Sequence, residues 1–175
     1  MENKAAISKL KKISLELKKK ILEISFNKKT HHIGSCLSCV DILTVLYFKF
    51  MKINKTKIIQ NDKFIMSKGH AALIYYLVLV KKNFFSEKFL LKEYLSNNGK
   101  FGGHPDTNSS LGIDFCSGSL GNGLSVASGM AYTFKKDKNN NKVFVLIGDG
   151  ECNEGIIWES VLFSAQHKLD NLYVI

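Results

Sequence analysis

Apolar residues recur at helical spacing through the first half of the chain. Among the lysines of the N-terminal segment, a stripe at intervals of three and four residues comprises Leu10, Ile13, Leu17, Ile21 and Ile24. This spacing predicts an amphipathic first helix that packs through the stripe. After a polar link at 27–31, the stretch 38–50 predicts a second helix with Ser38 as its N-cap. The segment 71–81 is apolar nearly all round, which predicts a buried helix, and a shorter helix is predicted over 87–95.

The pattern changes at residue 97. Residues 97–123 contain many glycines, the only proline and almost no periodic hydrophobicity. A loop of this length inside a compact domain is uncommon unless it binds something, so the segment predicts a ligand-binding loop. A helix of small residues is predicted over 124–134, and a polar surface turn over 135–142.

The last third of the chain predicts a strand, a helix and a second strand. Residues 143–147 form the continuous apolar run that is typical of a strand buried on both faces of a parallel sheet. A helix is predicted over 155–167 and a second strand over 171–175. The expected fold is therefore α/β, with a parallel sheet flanked by helices.

Length and composition limit the number of domains. The chain has 175 residues, of which 45% are hydrophobic, enough to bury the core of one globular domain. A central strand at the very end of a domain would have nothing to cover it. We therefore expect a single partial domain over 1–175, incomplete at its C-terminus.

The charge pattern argues against nucleic acid and membrane partners. The net charge is +10 and every basic residue is lysine, whereas arginine supplies the bidentate contacts that read bases and clamp phosphates. The lysines are spread out, as on solvated helix faces. The longest apolar run, at 71–80, is half of what a bilayer requires. With no signal peptide or organellar presequence apparent, we expect a cytoplasmic protein.

Two cysteines have the spacing of a zinc knuckle or a redox pair. These are Cys36 and Cys39, but Cys116 and Cys152 are isolated and supply no second pair. Zinc or redox chemistry remains an alternative at this stage. Small apolar packing is the favoured interpretation.

The sequence Gly-Asp-Gly at 148–150 follows the predicted buried strand. Open α/β sheets bind ligands at the carboxyl ends of their strands. Glycines let the backbone approach a diphosphate, and Asp149 could hold Mg²⁺ or Ca²⁺ through its carboxylate oxygens. Alternatively, Asp149 caps the next helix, and these three residues alone leave both interpretations open.

Three further segments place a histidine beside a glycine. They contain His32, His70 and His104. Imidazoles can donate to hydroxyls and phosphates and can relay protons near neutral pH, which suits a site for sugar phosphates. The same residues could bind zinc, although they lack the helical spacing of a zincin.

Four motifs in order resemble the transketolase family, especially its split forms with separate N- and C-terminal subunits. The similarity runs from about Leu15 to Ile175. The motifs lie at 62–72, 103–106, 117–126 and 148–155.

This resemblance implies a site for thiamine diphosphate. By position, Asp149 is similar to the side-chain ligand of the divalent cation, Mg²⁺ or Ca²⁺, that bridges to the cofactor. Gly150 resembles the glycine that lies against the diphosphate. His70 and the main chain at Gly118 and Leu120 resemble further cofactor contacts.

The resemblance also implies substrate and interface residues. His32 and His104 are similar to catalytic histidines that touch the hydroxyls of the sugar. Glu154 and Glu159 match glutamates near the subunit interface that connect paired cofactor sites. For Glu159, on a predicted helix, simple exposure to solvent is the alternative.

The implied activity is transfer of a two-carbon ketol unit from a ketose phosphate to an aldose phosphate. In the family the cofactor lies between this domain and a pyrimidine-binding domain, here expected on a C-terminal partner subunit. The expected assembly is a homodimer or an α2β2 complex.

Two departures from the family pattern shape the expectation for this chain. The first histidine motif has Ile33 where the family has proline. The second metal-binding side chain, an asparagine, would fall about four residues after Ile175. We therefore expect weak binding of thiamine diphosphate by the chain alone.

Other functions remain as alternatives. The chain could be a non-catalytic remnant, or the N-terminal part of a deoxyxylulose-phosphate synthase or a 2-oxo-acid dehydrogenase. The motifs at 67–70 and 103–106 favour transketolase over both enzymes.

Overall fold

The computed structural model describes residues 2–54, 56 and 60–175. The chain forms two compact units, which we call the helical unit (Met1–Lys55 and His70–Gly103) and the sheet unit (Thr56–Gly69 and His104–Ile175). A compact unit need not fold alone. The expectation of a single partial diphosphate-binding domain therefore stays a prediction.

The helical unit contains five α-helices in its described residues. They are α1 (Glu2–Lys28), α2 (Ile33–Ser38), α3 (Val40–Val45), α4 (Ala72–Lys81) and α5 (Glu87–Glu93), with a π-helical turn at Leu46–Phe50. Leu17, Ile21 and Ile24 of α1 are buried, which confirms the predicted amphipathic helix. Helix α4 is buried from Ala72 to Leu79, so the predicted buried helix is also confirmed.

The predicted second helix is wrong in its start and its cap. Helix α2 begins at Ile33, and the chain leaves helical geometry at Cys39 (φ −109°, ψ 5°) before α3. Ser38 ends α2, and its hydroxyl donates to the carbonyl oxygen of Ser35 at 2.9 Å, so it caps no helix start. Only Cys36 of α2 is buried, which is why this helix shows no apolar periodicity.

The paired cysteines serve packing. Cys36 and Cys39 are both buried and both free thiols. The Cys39 thiol lies 2.9 Å from the carbonyl oxygen of Ser35. The interpretation as small apolar side chains is confirmed.

The sheet unit alternates strands and helices. Its elements are β1 (Lys63–Met66), α6 (Asn122–Lys136), β2 (Val143–Leu146), α7 (Gly155–Gln166) and β3 (Leu172–Val174), with 3-10 turns at Ser109–Leu111 and Gly150–Asn153. The three strands are parallel in the order β1-β2-β3. Every residue of β2 is buried. The predicted α/β class, with its parallel sheet and flanking helices, is confirmed.

The core of the sheet unit lies between the sheet and its helices. Ile65 of β1 and Val145 of β2 pack with Leu124 and Ala127 of α6 and with Ile157 of α7. Burying these side chains drives the helices onto the sheet. This packing holds the ends of the strands and the starts of both helices in fixed positions.

Within residues 2–54, 56 and 60–175, no helix combines the length and the apolarity that crossing a bilayer requires.

Candidate functional site

The carboxyl ends of β1 and β2 meet at one edge of the sheet. Phe64 pairs with Phe144 and Met66 with Leu146, and the amide of Ser67 then donates to the carbonyl oxygen of Leu146 at 2.9 Å. The motifs that follow the two strands, at 67–69 and 148–150, are therefore side by side.

Asp149 is exposed at this edge, immediately before the 3-10 turn Gly150–Asn153. Its main-chain oxygen accepts from the amide of Cys152 at 3.1 Å, but its side chain makes no capping hydrogen bond. The alternative of a capping aspartate is therefore wrong. The carboxylate stays exposed at the place where open α/β sheets bind ligands.

The loop motifs at 103–106 and 117–126 also meet. The amide of Ser117 donates to the carbonyl oxygen of Pro105 at 3.0 Å. A Cβ atom placed on Gly118 would lie 3.8 Å from Cδ2 of the His104 imidazole. His104 and Gly118 are both exposed, so the imidazole and the exposed loop backbone face solvent together.

A cleft opens beside this loop. Its volume is about 540 Å³, and its walls include Asp106, Gly118, Ser119 and Asn122. Small-molecule sites commonly have volumes of this order. The predicted ligand-binding loop thus borders a space of suitable size, and Leu120 in the same loop is 42% exposed.

Gly121 lets this loop approach the start of α7. Its φ of +86° is left-handed, and a Cβ atom there would lie 2.7 Å from Cγ2 of Ile156 and 3.1 Å from Cβ of Glu154. A side chain would be both strained and crowded at this position. The close approach brings Glu154, which is exposed, next to the loop.

Gly123 allows equally close contact between α6 and the end of β1. A Cβ atom on Gly123 would lie 2.5 Å from Cβ and 2.8 Å from Cα of Ser67. We expect Gly123→Ala to lower the free energy of unfolding by about 1–3 kcal/mol, as overpacking does in tight cores. Chemical denaturation measures the change.

Gly129 of the same helix provides the matched control. It is exposed, and a Cβ atom there meets nothing within 4 Å. Because alanine is the better helix former, we expect Gly129→Ala to stabilise the chain by about 0.5–1 kcal/mol. Equal effects of the two substitutions would show that the contact with Ser67 is unimportant.

His32 and His70 lie together in the helical unit. Their ring centroids are 5.4 Å apart with an interplanar angle of 52°. His32 is exposed and has left-handed geometry (φ 63°), whereas His70 is half-buried. The structure thus joins two of the three histidines into one pair, and their roles stay predictions.

Glu159 is exposed on α7. It lines a cleft of about 400 Å³ with Ser125 and Gly129 of α6. Its neighbour Trp158 donates through Nε1 to the carbonyl oxygen of Cys152 at 2.9 Å, which ties α7 to the turn after Asp149. This geometry is compatible with simple solvent exposure of Glu159, and its interface role stays a prediction.

Glu151 is a carboxylate that the sequence motifs did not single out, and it is only 1% exposed. The residue lies inside the motif at 148–155, so its presence was visible but its burial was not. A buried acid must find donors from other parts of the fold. Neighbours so far away in the sequence leave no local pattern.

Within the described part of the chain, protein side chains alone form no metal centre. Among those residues, no three His, Cys, Asp or Glu side chains converge on one point. A hard cation at Asp149 would therefore take its other oxygen ligands from elsewhere, such as a diphosphate or the backbone. The role of Asp149 as a metal ligand stays a prediction.

An open parallel sheet with glycine-rich loops at its carboxyl edge defines an α/β ligand-binding protein. Comparison with known families matches residues 17–175 to the family described as the transketolase, thiamine diphosphate binding domain. The chain therefore belongs to the transketolase family, and the matched residues are its thiamine-diphosphate-binding domain.

Individual relatives agree with this assignment. A protein of Phocaeicola vulgatus, named as one subunit of apulose-4-phosphate transketolase, is 43% identical over 164 residues, which are 90% of this chain and 56% of that protein. Human transketolase is 42% identical over 147 residues, covering 82% of this chain and 23% of the human protein. The crystal structure of transketolase from Campylobacter jejuni matches with a TM-score of 0.85 and 29% identity, over 94% of this chain and 28% of that one. This chain thus spans about half of the Phocaeicola protein and about a quarter of the whole transketolases.

Proposed function

We propose that this chain holds the diphosphate and the metal ion of thiamine diphosphate in a transketolase whose site is completed by a second chain. The observation that carries the proposal is the position of Asp149. Its carboxylate is exposed after β2 and is not used for capping, in a chain whose family domain binds this cofactor. A fixed carboxylate of this kind suits Mg²⁺ or Ca²⁺.

The glycines of the site fit a diphosphate. Gly150 and Gly118 are exposed, and a Cβ atom on Gly150 would meet nothing within 4 Å. Backbone atoms are therefore accessible to an anionic ligand. We assign Gly150 to the diphosphate, and His70 with the main chain at Gly118 and Leu120 to further cofactor contacts.

The proposed reaction is transfer of a two-carbon ketol unit from a ketose phosphate to an aldose phosphate. Bound thiamine diphosphate supplies the carbanion chemistry of its thiazolium ring. The protein binds and orients the reactants. In this proposal His32 and His104 donate hydrogen bonds to the hydroxyls of the sugar, and both imidazoles are exposed as that role requires.

A partner chain completes the proposed site. Two bacterial relatives, which match 90% and 95% of this chain, are named as subunits of larger enzymes. The expected partner is a C-terminal subunit that binds the pyrimidine end of the cofactor, in a homodimer or an α2β2 assembly. Glu154, exposed at the start of α7, is placed at the link between paired cofactor sites. The chain alone is then expected to be inactive.

Ketol transfer by the reconstituted pair tests the proposal. The purified chain is combined with a pyrimidine-binding subunit, thiamine diphosphate and Mg²⁺, and product formation is followed with several ketose phosphates. Apulose 4-phosphate is included because the two bacterial relatives are named for it. Activity that needs both chains is the expected result.

Substitution of Asp149 assigns the metal role. Asp149→Asn keeps the size of the side chain and removes its charge. We expect the affinity for cofactor with Mg²⁺ to fall at least as much as the roughly 10–100-fold that changes next to metal ligands cause. Asp137→Asn, an exposed aspartate just after α6, is the matched control and should have no effect. Equal behaviour of the two variants would remove Asp149 from the site.

A further inference from the structure

Glu151 is the most deeply buried charged side chain at the carboxyl edge of the sheet. It lies in the turn Gly150–Asn153 and is 1% exposed. Glutamate is almost never fully buried unless its oxygens are satisfied by donors. Its neighbours on the surface side of the same turn, Asp149 and Gly150, are exposed, so Glu151 is turned inward, beneath the proposed diphosphate site.

Three donors satisfy both oxygens of the carboxylate. Oε1 accepts from the hydroxyl of Ser67 at 2.5 Å and from the amide of Gly121 at 2.7 Å. Oε2 accepts from the amide of Gly148 at 2.7 Å. All three donors are neutral, and hydrogen bonds of this kind to a carboxylate are about twice as strong as those between neutral groups.

The three donors come from three separate segments. Ser67 follows β1, Gly121 precedes α6, and Gly148 follows β2. These are the segments that contain the motifs at 67–70, 117–126 and 148–155. We call Glu151 and its three donors the Glu151 cluster. One carboxylate thus joins the backbone segments on which the proposed cofactor contacts of the sheet unit stand.

The surrounding packing supports a fixed geometry. Gly123 approaches Ser67 so closely that a Cβ atom would lie 2.8 Å from its Cα atom, and Ser67 itself is fully buried. The amide of Glu151 also donates to the carbonyl oxygen of Gly148 at 3.1 Å. Donors on rigid elements hold a site in the binding geometry before the ligand arrives.

We propose that Glu151 is a positioning residue that fixes the diphosphate-binding segments of the sheet unit before the cofactor binds. The Glu151 cluster is present in the chain itself, whereas its consequence for cofactor binding rests on the function proposed above. Glu151 acts through Gly148 and Gly121 and does not touch the ligand. Its loss is therefore expected to weaken binding of thiamine diphosphate without removing any cofactor contact.

Glu151→Gln is the sharpest substitution. Glutamine has nearly the same size but only one acceptor oxygen, so an amide that keeps the two bonds at the Oε1 position presents its NH₂ group to the amide of Gly148. Two donors then face each other. The amide of Gly148 is left buried without an acceptor, which is the costly outcome for a hydrogen-bonding group.

Hydrogen exchange of the full chain, followed by NMR without cofactor, tests the cluster. In Glu151→Gln the amide of Gly148 is expected to exchange about 10-fold faster or more, as when a single protecting bond opens locally. The amides within β2 should keep their exchange rates. Unchanged exchange at Gly148 would overturn the proposal.

Cofactor kinetics in the assembly with the pyrimidine-binding subunit test the consequence. We expect Glu151→Gln to raise the half-saturating concentration of thiamine diphosphate about 10-fold. At saturating cofactor the kcat should recover, and the KM for the sugar phosphate should not change. A lowered kcat that excess cofactor does not restore, with unchanged half-saturation, would contradict a positioning role.

A second variant keeps the test decisive if Glu151→Gln does not fold. Ser67→Ala removes one of the three donors and leaves both backbone donors, so a smaller rise of about two- to five-fold in half-saturation is expected. No rise would overturn the proposal. If the wild-type assembly binds no thiamine diphosphate at all, the proposed function fails, while the exchange rate of Gly148 still decides whether Glu151 fixes the turn.

Discussion

Lys63→Met is expected to destabilise the chain by about 2–3 kcal/mol at neutral pH, because removing one partner of a buried pair leaves the other charge without compensation. Lys63 begins β1, and its Nζ lies 2.8 Å from Oδ1 of Asp114. The two side chains are only 17% and 13% exposed. Asp114 lies in the loop that leads to Gly118, so the loss should loosen that loop as well.

The cost should depend on pH. Burial raises the pKa of Asp114, and the ion pair with Lys63 partly offsets that rise; without Lys63 the pKa should rise further. The folded state then binds more protons than the unfolded state between the ordinary pKa of 3.8 and the raised value. The free energy of unfolding therefore falls as the pH rises through this window. The deficit of Lys63→Met relative to wild type should be fully present above the raised pKa and shrink below it.

Urea denaturation at a series of pH values measures this effect. Lys63→Met combined with Asp114→Asn should recover much of the lost stability, because no buried charge remains. Lys92→Met, at a lysine whose side chain is 80% exposed, is the control and should change stability by less than about 0.5 kcal/mol. A deficit that is constant with pH would contradict the ion-pair explanation.

Phe101→Ala is expected to cost about 3–5 kcal/mol, the usual range for deleting a buried phenyl ring. Phe101 is fully buried in the helical unit. Its ring centroid lies 4.7 Å from that of Phe85, 5.0 Å from Tyr76 and 5.7 Å from Phe89. Alanine would leave a cavity that these aromatic side chains cannot close.

The same residue anchors the chain just before the motif that contains His104. The amide of Leu95 donates to the carbonyl oxygen of Phe101 at 2.9 Å, and the hydroxyl of Tyr76 donates to that of Gly102 at 3.2 Å. Thermal or urea unfolding measures the loss. Phe50→Ala, at a ring that is 65% exposed, should change stability by less than about 0.5 kcal/mol. Similar losses in both variants would show that the aromatic cluster is not the cause.

The sequence predicted long helices and the buried strand well, and short elements poorly. Helix α1 shows a regular stripe over several turns, and β2 is a continuous apolar run, so each has a strong local signal. Strand β1 was missed because Lys63–Met66 is too short to show a period. It becomes a strand because its backbone pairs with β2, which is a tertiary cause.

The site was predictable in its residues and not in its geometry. The glycine and histidine motifs could be recognised one by one, and Asp149 could be placed after a strand. The proximity of His104 to Gly118, and the three donors around Glu151, depend on segments far apart in the chain. Burial of a carboxylate is set by such partners, so no local pattern could reveal it.

Calorimetric titration of thiamine diphosphate with Mg²⁺ into the purified chain, alone and with a pyrimidine-binding subunit, tests the central claim most directly. We expect Mg²⁺-dependent binding only when both chains are present, because each supplies one end of the cofactor site. Tight Mg²⁺-dependent binding to the isolated chain would contradict the shared site, and absence of binding in the presence of the partner would contradict the proposed cofactor function itself.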